Sequence, residues 1–159
     1  MRRILLAVAI FTFVACGGHQ PVTVAGPVTT TKSEAFSADD AASNVAALVG
    51  TWRGTSICTG IRPACRDEIS VYHIAASADP NMVAMTMNKV VNGEEVEMGG
   101  TLNYAIDYSA RTLSHEISAR DGTRAIFGFT WSGTKMSGTL IQLPGREVVR
   151  NIQLEKTSD

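Results

Sequence analysis

Thr112-Leu113-Ser114-His115-Glu116-Ile117-Ser118-Ala119, then Arg120-Asp121-Gly122-Thr123, then Arg124-Ala125-Ile126-Phe127-Gly128-Phe129-Thr130-Trp131 is the stretch that decides the fold. Its periodicity is two. Leu113, His115 and Ile117 fall on one face, with Ser114, Glu116 and Ser118 on the other, and Phe127, Phe129 and Trp131 again share a face, as strands require. Asp121-Gly122 between the two runs is a hairpin signal. The same grammar extends in both directions: strands are expected at 49–57, 68–77, 82–91, 95–98, 101–107, 112–119, 124–131, 135–143 and 147–155. Asp79-Pro80-Asn81, Asn92-Gly93, Gly99-Gly100, Ser132-Gly133 and Pro144-Gly145 punctuate them with turn chemistry. Short connections make sequence neighbours spatial neighbours. With no helix long enough to cover a sheet face, eight or nine such strands close most economically into a small all-β, antiparallel up-and-down barrel without exposed edges.

The chain begins quite differently. Arg2 and Arg3 precede an apolar run from Ile4 to Val14, and Phe13-Val14-Ala15-Cys16 resembles the lipobox cut by lipoprotein signal peptidase. The run is too short for a bilayer-spanning helix, which needs about 20 apolar residues, and suits a cleaved export signal. The Cys directly after a small Ala favours lipidation over simple secretion, the alternative for such a segment. Residues 1–15 are therefore read as a lipoprotein signal peptide. The resemblance implies a triacylated Cys16 carrying palmitate, enough acyl chain for a stable membrane anchor. Gly17 is not an inner-membrane retention signal of the Asp type, so in a two-membrane bacterium the resemblance implies the outer membrane, facing the periplasm. Residues 16–44, which include Gly26-Pro27-Val28-Thr29-Thr30-Thr31, have the composition of a flexible tether. A helical turn or two is expected within Asp39 to Leu48, and 45–159 is the single domain.

Export bears on the two remaining cysteines. Cys58 and Cys65 form an even pair in an oxidising compartment and bracket Thr59-Gly60-Ile61-Arg62-Pro63-Ala64, a turn-forming segment, so a disulfide is expected. The spacing is not that of a redox Cys-x-x-C site. With three histidines and no second cysteine pair, a metal site is not expected, nor is any cofactor. Formal charge is −1, or about −3 once Arg2 and Arg3 leave with the signal, and no Lys/Arg cluster exists. Nucleic acid is disfavoured as a partner.

Val49-Gly50-Thr51-Trp52-Arg53-Gly54 at the first strand resembles the Gly-x-Trp opening of lipocalin-like, or calycin, barrels. The resemblance implies that Gly50 and Trp52 belong to a structural motif in which the Trp closes the barrel bottom against a basic side chain of the last strand. Arg150 is the first candidate for that side chain and Lys156 the second. The domain from Trp52-Arg53-Gly54-Thr55-Ser56-Ile57-Cys58 onward also resembles small exported bacterial proteins without an assigned activity, a likeness that implies location and no chemistry.

Alternation gathers few polar groups that could react. His115, and His73 beside Ile69 and Val71, fall on apolar faces, where a histidine either serves as a polar anchor for a ligand or sits hydrogen-bonded at a barrel end. Asp67-Glu68 and Glu94-Glu95 are adjacent carboxylates, which point to opposite faces of a strand and read as solvated rims. Neither a Gly-x-Ser-x-Gly elbow nor a His-Glu-x-x-His stretch occurs, and Ser132-Gly133-Thr134-Lys135 lacks the spacing of a phosphate loop. An enzyme is not expected. Met85 and Met87 share a face with Val83 and Lys89, and soft methionines suit either an irregular apolar ligand or core filling. The leading expectation is non-catalytic binding of a small apolar ligand by a membrane-anchored envelope lipoprotein, with His115, Met85 and Met87 as candidate contacts. The alternative is an envelope interaction module or enzyme inhibitor acting on another envelope protein through its loops and outer surface.

Overall fold

One helix, α1 (Ala38–Leu48), precedes eight antiparallel strands in the computed structural model, which describes residues 38–158. The strands are β1 (Gly50–Cys58), β2 (Glu68–Ala76), β3 (Met82–Val91), β4 (Glu94–Asp107), β5 (Thr112–Ser118), β6 (Arg124–Ser132), β7 (Lys135–Leu143) and β8 (Glu147–Ser158). Each pairs with the next, and β8 pairs back onto β1, giving a closed up-and-down barrel. The signal segment, Cys16 and the tether up to residue 37 lie outside the described residues.

The strand count settles at eight because 95–98 and 101–107 are one strand interrupted by a bulge. Between the Thr86↔Thr101 and Asn88↔Glu97 pairs, β3 has a single residue and β4 has Met98, Gly99 and Gly100. The excess is even, so inward and outward faces are kept across it. Asn92 (φ 53°) and Gly93 (φ 89°) both take the left-handed conformation of a two-residue hairpin. Asp121-Gly122 instead lies within a longer connection, residues 119–123, where Thr123 N donates to Asp121 Oδ1 at 2.9 Å. The helix is also longer than expected, at 11 residues or about three turns.

Inward positions hold Trp52, Tyr72, Met85, Leu113, Phe129 and Ile152, all buried, whereas outward positions hold Arg53, Thr55, Ser114, Thr130, Asn151 and Gln153, all exposed. Apolar inside and polar outside is the reverse of a membrane-spanning barrel. Leu48 of α1 joins the buried core, and the Trp52 indole Nε1 donates to the Leu48 carbonyl at 2.8 Å. That bond satisfies one of the carbonyls a helix leaves unpaired at its C-terminus. The helix thereby closes one end of the barrel. Gly50 (φ 129°) lets the chain turn from helix into strand, and at Gly54 a Cβ would lie 1.9 Å from the Gln153 carbonyl oxygen, so β1 and β8 approach each other there as only glycine allows.

Candidate functional site

The opposite end of the lumen is open. Phe129 sits at mid-height with Tyr72 edge-on to it (centroids 6.0 Å), Tyr104 tilted against it (5.9 Å) and Phe127 stacked on it (6.3 Å). Beyond this aromatic layer lies a cavity of about 650 Å³, walled by Tyr72, Met87, Leu102, Ile117, Phe127 and Leu140. Ser56, Glu68, Lys89 and Arg150 add polar groups to its lining, and Val96 to Gly100 of β4 complete one side. An apolar cavity of this size with a few convergent polar groups has the form of a small-molecule site.

Strand register explains the placement. Tyr72 pairs with Met87 and Ser70 with Lys89 across β2 and β3, while Leu140 pairs with Arg150 across β7 and β8. Tyr104 Oη donates to Met87 Sδ at 3.3 Å, fixing that thioether. Burial raises the pKa of the Tyr72 phenol. The neighbouring Ser70 hydroxyl tempers the shift, yet Ser70 Oγ, fully buried, makes no hydrogen bond of good geometry.

Arg150 forms a clasp at the mouth. Its guanidinium lies 3.1 Å from Glu68 Oε1 and donates to Ser56 Oγ at 2.9 Å and to the Arg66 carbonyl at 3.0 Å. Both side chains of the ion pair are largely withdrawn from solvent (16% and 15% exposed). Arg150 thus joins β8, β1, β2 and the loop that the Cys58–Cys65 disulfide closes (Cα–Cα 6.0 Å). That loop is strapped further: Arg62 Nε donates to Gln142 Oε1 at 2.9 Å, Thr59 Oγ1 to the Val148 carbonyl at 2.6 Å, and Cys58 N to Asp67 Oδ1 at 2.8 Å.

Several sequence expectations change here. Arg150 is not the basic partner of Trp52: it pairs in register with Cys58 at the open end, while Lys156 stands opposite Trp52. Glu68 is an ion-pair member, not a solvated rim. His73 faces outward, where its Nε2 lies 2.7 Å from Glu95 Oε2 and Thr51 Oγ1 lies 3.2 Å from its Nδ1. The Asn88 amide and then the His73 ring hold the Glu95 carboxyl below its usual pKa. His115 is on the inner face, but its ring packs on Tyr104 (5.2 Å) and its Nδ1 lies 2.8 Å from the Asn103 carbonyl oxygen, away from the cavity lining. Met85 is sealed in the core, and Met87 of the candidate contacts borders the cavity. Ser70 and Tyr72 are not singled out by the sequence reading and Glu68 is placed by it on a rim, although alternation from Tyr72 puts all three on one face. Only closure of the barrel shows that this face is the inner one.

The wall beside the cavity is thin. β4 and β5 pair at three positions, Ala105↔Ser114, Ile106↔Leu113 and Asp107↔Thr112, whereas β6 and β7 pair at nine. The His115 contact with Asn103 occupies the point where that ladder stops. Among the described residues, no cluster of three His, Cys, Asp or Glu side chains is arranged to hold a metal ion. No protein-family model matches the chain, and no curated protein is significantly similar to it.

Proposed function

We propose that this protein is a non-catalytic binding protein of the cell envelope, anchored through Cys16, that holds a small apolar molecule in the open half of its barrel. The observation that carries the reading is the division of the lumen: aromatic and aliphatic side chains fill it from Leu48 to Phe129, then leave about 650 Å³ bounded by Met87, Phe127 and Leu140. A barrel meant only as a rigid scaffold gains stability by filling that space, since unfilled apolar volume forfeits contacts. Native mass spectrometry of the gently purified full-length protein tests the reading. Added mass released on unfolding supports it; a bare mass together with no uptake of alkyl probes overturns it.

A second reading, an interaction module acting through its loops, has one observation in its favour. All six large hydrophobic side chains exposed among the described residues, Ile57, Ile61, Ile69, Val91, Val96 and Met98, lie toward the open end. Ile61 lies in the disulfide loop, Ile57 and Ile69 on the ends of β1 and β2 that flank it, and Val91, Val96 and Met98 on the β3–β4 hairpin. Patches of this kind mark contact surfaces. Replacing Ile61 and Val91 with Ser separates the readings, because a partner complex is weakened while uptake into the lumen persists.

A further inference from the structure

We propose that the molecule held in the lumen is a single-chain amphiphile with an anionic oxygen head group, its head bound by Lys89 and the Tyr72 phenol and its tail lying against Phe127, Ile117 and Leu140. This rests on the lumen being a ligand site, and it specifies the ligand's chemistry.

The donors come first. Lys89 and Ser70 face each other across β2 and β3 on the inner face, where directly opposed Cβ atoms stand about 5 Å apart. Lys89 is half-buried, borders the cavity and has no hydrogen bond or ion pair among the described residues. The Ser70 hydroxyl opposite it is fully buried and does not border the cavity, so it acts on the neighbouring Tyr72 phenol and not on the lumen. A half-buried ammonium gives up part of its hydration with no protein partner in return, so it favours an acceptor from outside the chain. Tyr72, two residues from Ser70 on the same face, borders the cavity, keeps its phenolic proton and adds a second donor.

The carboxylates bordering the cavity do not meet this demand. Glu68 is committed to Arg150 through both oxygens, at 3.1 and 3.4 Å. Glu97 pairs with Asn88 on the outward parity and is exposed, where water screens it. Arg150 already spends its donors on Ser56, Arg66 and Glu68. Lys89 is therefore the cation left to a ligand. A carboxylate or phosphate supplies both charge and several acceptor sites, a neutral alcohol supplies no charge, and an amine adds like charge. The remaining wall, Met87, Ile117, Phe127 and Leu140, offers an apolar chain nothing to hydrogen-bond.

The test is calorimetric titration of the delipidated full-length protein with dodecanoate, dodecanol and dodecylamine below micelle-forming concentrations, using the wild type, Lys89→Met and Lys89→Gln. The expected result is that dodecanoate binds the wild type about tenfold or more tighter than dodecanol, with the amine weakest. Both variants should reduce that preference to within about threefold while leaving dodecanol binding in place, a measurement that also shows they fold. Equal affinity for acid and alcohol in the wild type, preference for the amine, or an undiminished preference in folded variants would overturn the proposal. Binding by none of the three probes overturns the lumen reading itself, so the two failures are distinguishable.

Discussion

Trp52 combines two jobs that a single substitution can separate: its ring fills the closed end of the barrel and its indole N–H ties down the last carbonyl of α1. Trp52→Ala should cost about 3–5 kcal/mol, and Trp52→Phe, which keeps most of the ring, should cost less but still lose the bond to Leu48. Urea denaturation of both variants checks the order. The Arg150–Glu68 pair calls for a cycle: Arg150→Leu alone should destabilise by about 3–5 kcal/mol by stranding a withdrawn carboxylate, and adding Glu68→Leu should recover much of that loss. A double variant less stable than either single one would contradict the clasp. At Glu95 the argument is one of acidity. Its folded pKa is depressed by Asn88 and His73, so its contribution is present above the unfolded value and is lost as pH falls through the folded one. Comparing urea midpoints near pH ~7 and pH ~3 should therefore show a smaller acid loss in Glu95→Gln than in the wild type. Trp52 was legible as a residue of the barrel's closed end; the end at which Arg150 lies was not. That end follows from how far β8 slides along β1, which no local signal fixes: Trp52↔Lys156 and Cys58↔Arg150 belong to one unbroken ladder.

Among the elements, strand number and order were readable because alternation and turn residues are local properties. Asn92-Gly93 encodes its hairpin directly, both residues tolerating the left-handed conformation it demands. Gly99-Gly100 carries a similar signal with another outcome, since pairing to β3 resumes beyond it and the dipeptide becomes a bulge inside β4. The distinction depends on a partner strand. So does the short β4–β5 seam. Hydrogen exchange should show lower protection for β5-facing amides of β4 before Ala105 than for amides of the nine-pair β6–β7 ladder. Uniform protection around the barrel would refute a weak seam. Closing so short a loop, the Cys58–Cys65 bond contributes on the order of 2–3 kcal/mol; reduction should lower the unfolding midpoint accordingly.

For the whole molecule, apolar-in and polar-out patterning makes a closed barrel legible from sequence, but whether its interior is filled depends on which inward side chains meet at each level. Phe129, Tyr72 and Tyr104 come from three strands and converge at mid-height, leaving the space above Phe127 and Leu140 open. No stretch of sequence contains that cavity. The proposed anchor is tested separately, since Cys16→Ala should release the protein from membranes in fractionation while leaving its unfolding midpoint unchanged. The central claim, a ligand in the open half of the lumen, is tested most directly by methyl NMR of the methionines during titration of the full-length protein with dodecanoate. Met87 and Met98 border the cavity, and Met136 is sealed in the core. Saturable shifts at Met87 and Met98 with Met136 unmoved are the expected result; no saturable shift at either cavity methionine would contradict the account.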